Sequence, residues 1–246
     1  MPLWVAGIGL GVLAILIFLW RYPWGISSGY GNWGNQLYYY FGLGKLAGLK
    51  DAPLTPWIHP VSVMNIGMIL GATGASMMKG QFSTYLAPTR EYFTGFLGGA
   101  LMGIGSTFAN GCIEGGFYTA VGVFSMGGFM MMIGLALGSI LGVKYLIWEM
   151  LNWPVKIPTQ KPVADKKTPR IDWSKVYPYI GGAIYILICL SFYVYSAFDK
   201  TVIGGMAFFG LWVGFFMQRS RFCLQRTFRN PFMTGDYEMV KAVILS

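Results

Sequence analysis

The chain has 246 residues, of which 55% are hydrophobic and only 11% are charged. A typical soluble domain carries about 25% charged residues, so this chain has too little charge to cover a water-facing surface. Together with a mean hydropathy of +0.54, the composition excludes a soluble enzyme or soluble binding domain and predicts an integral membrane protein.

Apolar segments, taken in chain order, predict an all-α polytopic transmembrane protein. A helix needs about 20 apolar residues to cross the hydrocarbon core of a bilayer. Six segments approach this length: Leu3–Trp20, Val61–Met78, Tyr92–Ala109, Phe129–Trp148, Tyr177–Ser196 and Val202–Met217. Two further apolar segments, Leu37–Leu49 and Phe117–Met126, are too short to cross alone and predict re-entrant or half-membrane helices.

The net charge of +9 lies in the connections between apolar segments, which follows the positive-inside rule and argues against nucleic acid as a partner. The longest basic connection carries Lys156, Lys161, Lys166, Lys167, Arg170 and Lys175. It is predicted to be cytoplasmic, and the arginines after Met217 then lie near the same side. If Leu37–Leu49 and its flanks form one crossing, the amino terminus is expected outside.

The same connection divides the chain into a first transmembrane module (1–150), a cytoplasmic linker (151–175) and the start of a second transmembrane module (176–246). Both modules are expected in the bilayer of a prokaryotic cytoplasmic membrane. The final segment from Met239 to Ser246 has the composition of an opening apolar helix. We expect the second module either to continue beyond Ser246 or to be completed by a partner membrane chain.

Cysteine and histidine usage argues against a metal site or a redox cofactor. Cys112, Cys189 and Cys223 show no metal-ligand spacing, and His59 is the only histidine. A nucleophilic cysteine enzyme would need a base near the thiol, and no histidine lies near these cysteines in sequence. The sequence therefore predicts a protein without a cofactor and without enzymatic activity. Cys189, inside an apolar segment, is expected to act as a small hydrophobic residue.

The first unusual break in the apolar sequence runs from Asn110 to Gly116. Broken backbone at membrane depth survives only beside protein or water, so such a break often marks a substrate route. Its glycines would allow positive φ and close backbone approach, and a half-helix starting there would favour an anion. The candidate binding residues are Gly111, Cys112, Glu114 and Gly115. Glu114 would repel an anion if ionised, so it is expected to be paired, protonated or turned away.

The second break follows Met217, where Arg219 and Arg221 precede Cys223. Arginine forks suit planar or tetrahedral oxyanions, and positive charge favours the cysteine thiolate. These three residues are the candidate binding residues of this break. The alternative interpretation is a positive-inside anchor, which explains Arg226 and Arg229 well. Glycines spaced four apart in Tyr92–Ala109 and Phe129–Trp148 are expected to serve close helix packing.

At these two breaks the sequence resembles the YeeE/YedE family of membrane proteins, which includes thiosulfate transporters. The resemblance rests on Gly98–Gly105 running to Gly111-Cys112 and Gly115, and on Arg221-Phe222-Cys223, Phe228-Arg229 and Thr234-Gly235-Asp236. It implies an inverted, pseudo-symmetric helical fold whose short re-entrant helices meet at a constriction. In that family, cysteines at the constriction are thought to pass a small sulfur compound along by hydrogen bonds, which assigns this role to Cys112 and Cys223.

Two functional hypotheses follow. The first is a transporter that moves a small sulfur-containing anion, thiosulfate or a related species, past the two cysteines. The second is a membrane anchor subunit of a sulfur-related redox complex, whose basic residues dock a soluble cytoplasmic sulfur carrier or enzyme. Glu114 stands where many relatives have a small or polar residue, which leaves the identity of the anion open.

Overall fold

The computed structural model describes residues 1–21, 23–44, 48, 52–80, 82, 89–109, 111–152 and 173–246. The helices are α1 Leu3–Trp20, α2 Ser27–Tyr40, α3 Pro60–Met78, α4 Thr89–Phe108, a π-helix Ile113–Thr119 continued by α5 Ala120–Gly122, α6 Met126–Asn152, α7 Trp173–Ala197, α8 Thr201–Ser220, α9 Leu224–Met233 and α10 Glu238–Ile244. These ranges contain no strand, which confirms the all-α prediction. Asn110, most of the predicted linker (153–172) and part of the predicted short helix (45–47 and 49) lie outside the described residues.

All six predicted long segments are helical. The apolar helices of the described ranges identify a multi-pass membrane protein. Five helices are long and apolar enough to cross a membrane: α1, α3, α6, α7 and α8 with its continuation into α9. A sixth candidate joins α4 to the π-helix and α5 across a 48° bend. A bent span of this kind matches the prediction of a helix broken at membrane depth.

Both short helices begin earlier than predicted. α2 covers Ser27–Tyr40 rather than Leu37–Leu49, although its first half is rich in glycine and polar residues. The Asn32 side chain explains this, because its amide donates to Ser62 Oγ at 3.3 Å and to the Leu54 carbonyl at 3.0 Å, which fixes α2 against α3. The second short helix begins at Ile113, directly after Cys112, rather than at Phe117. Tertiary contacts of Asn32 therefore support the early start of α2.

Glycine contacts between α3 and α8 lie in the most extensive helix interface of the described residues. A methyl group on Gly67 would lie 2.6 Å from the Ala207 carbonyl oxygen, and one on Gly71 would meet the Leu211 carbonyl. From the other side, Gly210 faces Met64, and Gly214 faces Met68. The pairs advance together along both helices, so α3 and α8 run parallel with their backbones in contact.

The glycines predicted to pack helices are not the ones that do so. At Gly95, Gly99 and Gly103 of α4, and at Gly134, Gly138 and Gly142 of α6, no atom lies within 4 Å of an added methyl group. Spacing four residues apart permits close approach but does not supply a partner helix. Among the described residues, glycines spaced four apart make close backbone contacts at Gly67 and Gly71 of α3, at Gly210 and Gly214 of α8, and at Gly7 and Gly11 of α1, which contact Ala242 and Ser246.

The amino terminus was predicted on the side of the membrane opposite the basic linker, and this prediction is wrong. Trp20, at the end of α1, donates from Nε1 to the Val202 carbonyl at the start of α8, while Gly9 faces the Phe216 ring near the end of α8. α1 is therefore antiparallel to α8, and the amino terminus lies at the same end as Arg219. α7 also begins at that end, since Gly181 contacts Met78. If the linker is cytoplasmic, so is the amino terminus, and α2 does not cross the bilayer.

Two similar units follow one another in the chain. In the first, the 20-residue α4 is followed by a break and by a half-helix of 7 π-helical and 3 α-helical residues. In the second, the 20-residue α8 is followed by a break and by the 10-residue α9. Phe124 and Gly235, each twelve residues after the cysteine of its break, both adopt positive φ where the half-helix ends.

The two units are inverted relative to each other. α3 precedes α4, and α7 precedes α8, so α3 and α7 are counterparts. They run antiparallel, because Val63 packs in one cluster with Ile188 while Gly74 meets Tyr185 and Met78 meets Gly181. Inverted repeats place their shared site at the interface between the units. This arrangement agrees with the predicted pseudo-symmetric repeat and directs attention to the two breaks.

Candidate functional site at the two broken helices

The half-helices after the two breaks touch each other. The rings of Phe117 and Phe228 meet edge to face with centroids 4.9 Å apart. Each of these residues stands five positions after the cysteine of its own break. Phe222 and Leu224 of the second break share a buried cluster with Trp24, and Ile113 and Tyr118 of the first half-helix pack against it. The fold therefore brings the two predicted breaks into one region.

Cys223 lines two cavities. One, of about 490 Å³, is lined by Ile113 of the first half-helix, by the glycine face of α6 and by Cys223, Arg226, Phe228 and Arg229. The other, of about 590 Å³, is lined by α3 and α8 residues together with Arg221, Cys223 and Arg226. Cys223 is half-buried and is the first residue before α9. Its backbone position explains the geometry, because an extended residue between two helices can face both sides of the break.

The arginines that line the cavities near Cys223 are not the same ones that the sequence predicted as binding residues. Arg221 lines the second cavity and Arg226 lines both, whereas Arg219 lines neither. Arg221 itself has φ 55° and ends α8 in the left-handed region. From the sequence, Arg226 and Arg229 were interpreted as a positive-inside anchor. However, Cys223, Arg226 and Arg229 are spaced three residues apart, and this helical spacing could have predicted that they line the same site. It places them on one face of α9.

Cys112 occupies the equivalent position in the first break but has different surroundings. Its sulfur accepts a hydrogen bond from the Ile26 backbone amide at 3.4 Å, and the sulfur is not among the groups that line either cavity. The loop between α1 and α2 approaches this break closely, since a methyl group on Gly115 would lie 3.4 Å from the Trp24 carbonyl oxygen. Thr119 Oγ1 donates to that same carbonyl at 2.9 Å.

Glycines of the first break permit close packing rather than positive φ. Neither Gly111 nor Gly115 is among the described residues with positive φ. A methyl group on Gly111 would lie 3.1 Å from Gly116 Cα, and one on Gly116 would lie 2.5 Å from Met131 Sδ. The expected unusual backbone at these glycines is therefore wrong, and their small size is what the fold requires.

Glu114 is buried inside the first half-helix, with 9% of its surface exposed. Its carboxyl neighbours the Cys112 thiol, while Oε2 has no hydrogen-bond partner among the described residues. Two other fully buried side chains near the loop also hold unpartnered atoms, Nε1 of Trp24 and Oδ1 of Asn65. Of the three arrangements expected for Glu114, a paired ion is not observed within the described ranges.

Comparison with known proteins places this chain in a family. The model of the family described as sulphur transport matches residues 1–141. The chain belongs to that family. It is 25% identical over 238 residues to the probable transporter YedE of Escherichia coli strain K12, and 24% identical over 237 residues to the probable transporter YedE of Salmonella typhimurium strain LT2. Each alignment covers 90% of this chain and 56% of the relative, so the chain spans about half the length of these curated relatives. No solved structure gives a significant match.

Membership of the sulphur transport family confirms the resemblance seen at the two breaks. The matched range contains the Cys112 break, and the alignments with the YedE proteins cover nearly all of the chain.

Cys189 was expected to be a buried hydrophobic residue, but it is exposed on the outer surface of α7, because α7 turns that face away from α3 and α8. The described residues contain no cluster of three metal-ligating side chains.

Proposed function

We propose that this chain carries a small sulfur-containing oxyanion of the thiosulfate class across the membrane past Cys223. The observation that supports this most strongly is the position of Cys223 and Arg226, which both line two cavities at the second break. A residue shared by two cavities can contact an anion that moves from one to the other. The family's description as sulphur transport agrees with a sulfur-containing cargo.

The chemistry of the break suits such an anion. Arg221, Arg226 and Arg229 supply planar guanidinium donors that pair with two oxygens at once. The first amide groups of α9 have no helical partner and carry the positive end of the helix dipole. The Cys223 thiol is a weak donor and a polarizable contact for a sulfur atom. Oxygen atoms would thus be held by arginine and amide groups while the terminal sulfur meets Cys223.

Phe117 and Phe228 stand where the two inverted units meet, with their rings in edge-to-face contact. In the proposed transporter they form the apolar wall of the passage beside the first cavity, which Phe228 lines. Apolar walls around a charged route strengthen the attraction between the anion and arginine, because they exclude water. Cys112 stabilises the neighbouring loop through Ile26 in this proposal, and contacts the anion less directly than Cys223.

Uptake of radiolabelled thiosulfate into proteoliposomes tests the proposal. Cys223→Ala and Arg226→Gln should each reduce the initial uptake rate about tenfold or more, the effect of losing roughly 1.4 kcal/mol of anion stabilisation. Cys189→Ala and Arg219→Gln are matched controls, because Cys189 is exposed on α7 and Arg219 lines neither cavity. Equal rates in all four variants, with the protein folded, would contradict the route past Cys223.

A further inference from the structure

Glu114 is the one buried carboxyl group at the broken helices among the residues that the structure describes, and the proposed anion route does not explain it. Glu114 is nine-tenths buried, and Oε2 has no hydrogen-bond partner in the described part of the chain. An unpaired carboxylate in such a place costs several kcal/mol, and protonation removes that cost. Ionisable groups inside a membrane are retained at this cost mainly where they serve a proton or ion path.

The groups around Glu114 offer no compensating charge. Its own half-helix supplies Cys112 and Tyr118, and α6 presents Met131 beside Gly116. α9 brings Arg226 and Arg229 to the cavity that Ile113 lines, and neither forms an ion pair with Glu114. The loop between α1 and α2 carries one charged residue, Arg21, whose side chain is exposed. The described groups of this loop and of α3 that connect to Cys112 are uncharged, among them Trp24, Ile26 and Asn65.

A series of polar groups connects Glu114 to one end of the bundle. The Cys112 thiol beside Glu114 accepts from the Ile26 amide at 3.4 Å, and the Ile26 carbonyl accepts from Asn65 Nδ2 at 3.0 Å. Asn65 is fully buried and keeps Oδ1 unpartnered. These contacts form the inner half of a polar track through otherwise apolar packing.

The outer half of the track lies one helical turn away on α3. Ser62 is fully buried, and its Oγ lies 3.1 Å from His59 Nδ1 and donates to the Gly29 carbonyl at 3.4 Å. Gly29 packs directly against the Asn65 amide, which joins the two halves. His59 is half-buried at the start of α3, and the adjoining Trp57 carbonyl accepts from Tyr195 near the end of α7. This end is opposite the basic linker, which precedes α7.

We propose that Glu114 is the proton-carrying group that couples anion movement to a proton gradient, with the polar track from His59 as its route to the face opposite the linker. This inference rests on the proposed anion transport. A proton from the His59 end reaches Glu114 Oε2 through water that the polar groups of the track hold, because amide and carbonyl groups orient water but do not themselves release protons. Glu114 is neutral while the anion occupies the neighbouring cavity. The proton leaves Glu114 towards the other side with the anion. No bond to the anion forms or breaks.

Electrostatics gives the coupling its direction. An ionised Glu114 would repel an anion near Ile113 and Cys223, so the loaded protein requires the neutral carboxylic acid. When one proton crosses the membrane together with the anion, the net negative charge that moves against the membrane potential is smaller than for the anion alone. For one proton per anion, a gradient of one pH unit supports about a tenfold higher accumulation of the anion.

The test uses the full chain in proteoliposomes with an imposed pH gradient, a clamped membrane potential and radiolabelled thiosulfate, while a trapped dye reports internal pH. Wild type should accumulate thiosulfate about tenfold more per pH unit, with acidification of the lumen. Glu114→Gln should lose both effects yet still exchange labelled for unlabelled thiosulfate at zero gradient. Asp199→Asn is the matched control, an acid-to-amide change in the exposed turn between α7 and α8, and it should behave as wild type.

Infrared spectroscopy supplies a second readout independent of flux. The carbonyl stretch of a protonated carboxylic acid should be present at neutral pH in wild type and Asp199→Asn, and absent in Glu114→Gln. Thiosulfate uptake that ignores the pH gradient, or a missing carbonyl band, would overturn the proton role while leaving anion transport standing. A wild type that carries no thiosulfate at any gradient overturns the proposed function, and the proton role falls with it.

Discussion

The two broken helices share one plan but differ in what surrounds them. Each has a 20-residue helix, a short break that ends in cysteine, and a half-helix followed by a residue with positive φ twelve positions after the cysteine. α8 lies against α3 through glycines, and its break is rich in arginine and borders two cavities. α4 has no close glycine contact, and its break holds a buried acid against the α1–α2 loop. An inverted repeat can therefore keep its backbone plan while its two halves take different chemical tasks.

The largest expected difference between the halves concerns helix packing. Gly214→Val should prevent folding, because a methyl group at this position meets the Met68 carbonyl oxygen and lies 2.8 Å from the Ala72 amide nitrogen. Backbone atoms cannot move aside, so the cost exceeds about 4 kcal/mol. Gly99→Val on α4 is the matched change, and it should leave the melting temperature in detergent nearly unchanged. A folded Gly214→Val protein with an unchanged melting temperature would refute the seam between α3 and α8.

The contact between the half-helices predicts an effect of intermediate size. Phe117→Ala should destabilise the protein by roughly 3 kcal/mol, since Phe117 is 6% exposed, and Phe228→Ala should cost less because its ring is only half-buried. In a double-mutant cycle of unfolding free energies, the coupling between them should be about 1 kcal/mol. Strictly additive losses would show that the two half-helices do not meet at these rings.

A smaller effect should distinguish the loop contact of the first break. Thr119→Val removes the hydrogen bond to the Trp24 carbonyl and should cost about 1 kcal/mol. Thr227→Val on α9 is the comparison, since its hydroxyl bonds to the Cys223 carbonyl at the start of its own helix. Thr119→Val should also alter Trp24 fluorescence, and Thr227→Val should not. Indistinguishable spectra for the two variants would contradict the docking of the loop on the first half-helix.

The smallest expected effect is the pH dependence at His59. Burial lowers the pKa of His59, and neutral Nδ1 accepts from the Ser62 amide at the start of α3. The unfolded chain takes up a proton at higher pH than the folded chain, so stability falls as pH drops from about 7 through the ordinary histidine range. His59→Asn keeps a capping acceptor without titrating, so its melting temperature should fall less between pH 7 and pH 5. Parallel curves would exclude His59 from this pH dependence.

Much of the fold followed from the sequence, because the bilayer imposes strict lengths on apolar segments. The segment Leu3–Trp20 was predicted to the residue, and the other five long segments lie within the observed helices or overlap them closely. The short helices were placed less well. The first ten residues of α2 (27–36) are polar and glycine-rich, and contacts distant in sequence, such as those of Asn32 with Ser62 and Leu54, stabilise them as a helix.

The candidate site was predicted in part. Cys112, Cys223, Arg221 and Glu114 were identified because polar or reactive residues interrupt apolar sequence, a signal that needs no fold. Arg226 was assigned to an anchor and Arg219 to the site, and the structure exchanges these positions relative to the cavities. Charge and neighbourhood in sequence do not tell which face of a short helix turns towards a cavity.

The sequence by itself determined that this is a helical membrane protein with two breaks, because hydrocarbon excludes charge and unpaired backbone wherever the chain meets lipid. Only the tertiary structure decided that α3 and α8 pack through glycines, that the half-helices meet at Phe117 and Phe228, and that Glu114 is buried without an ionic partner among the described residues. Those facts depend on contacts between residues far apart in the chain, and a local pattern permits many such pairings but selects none.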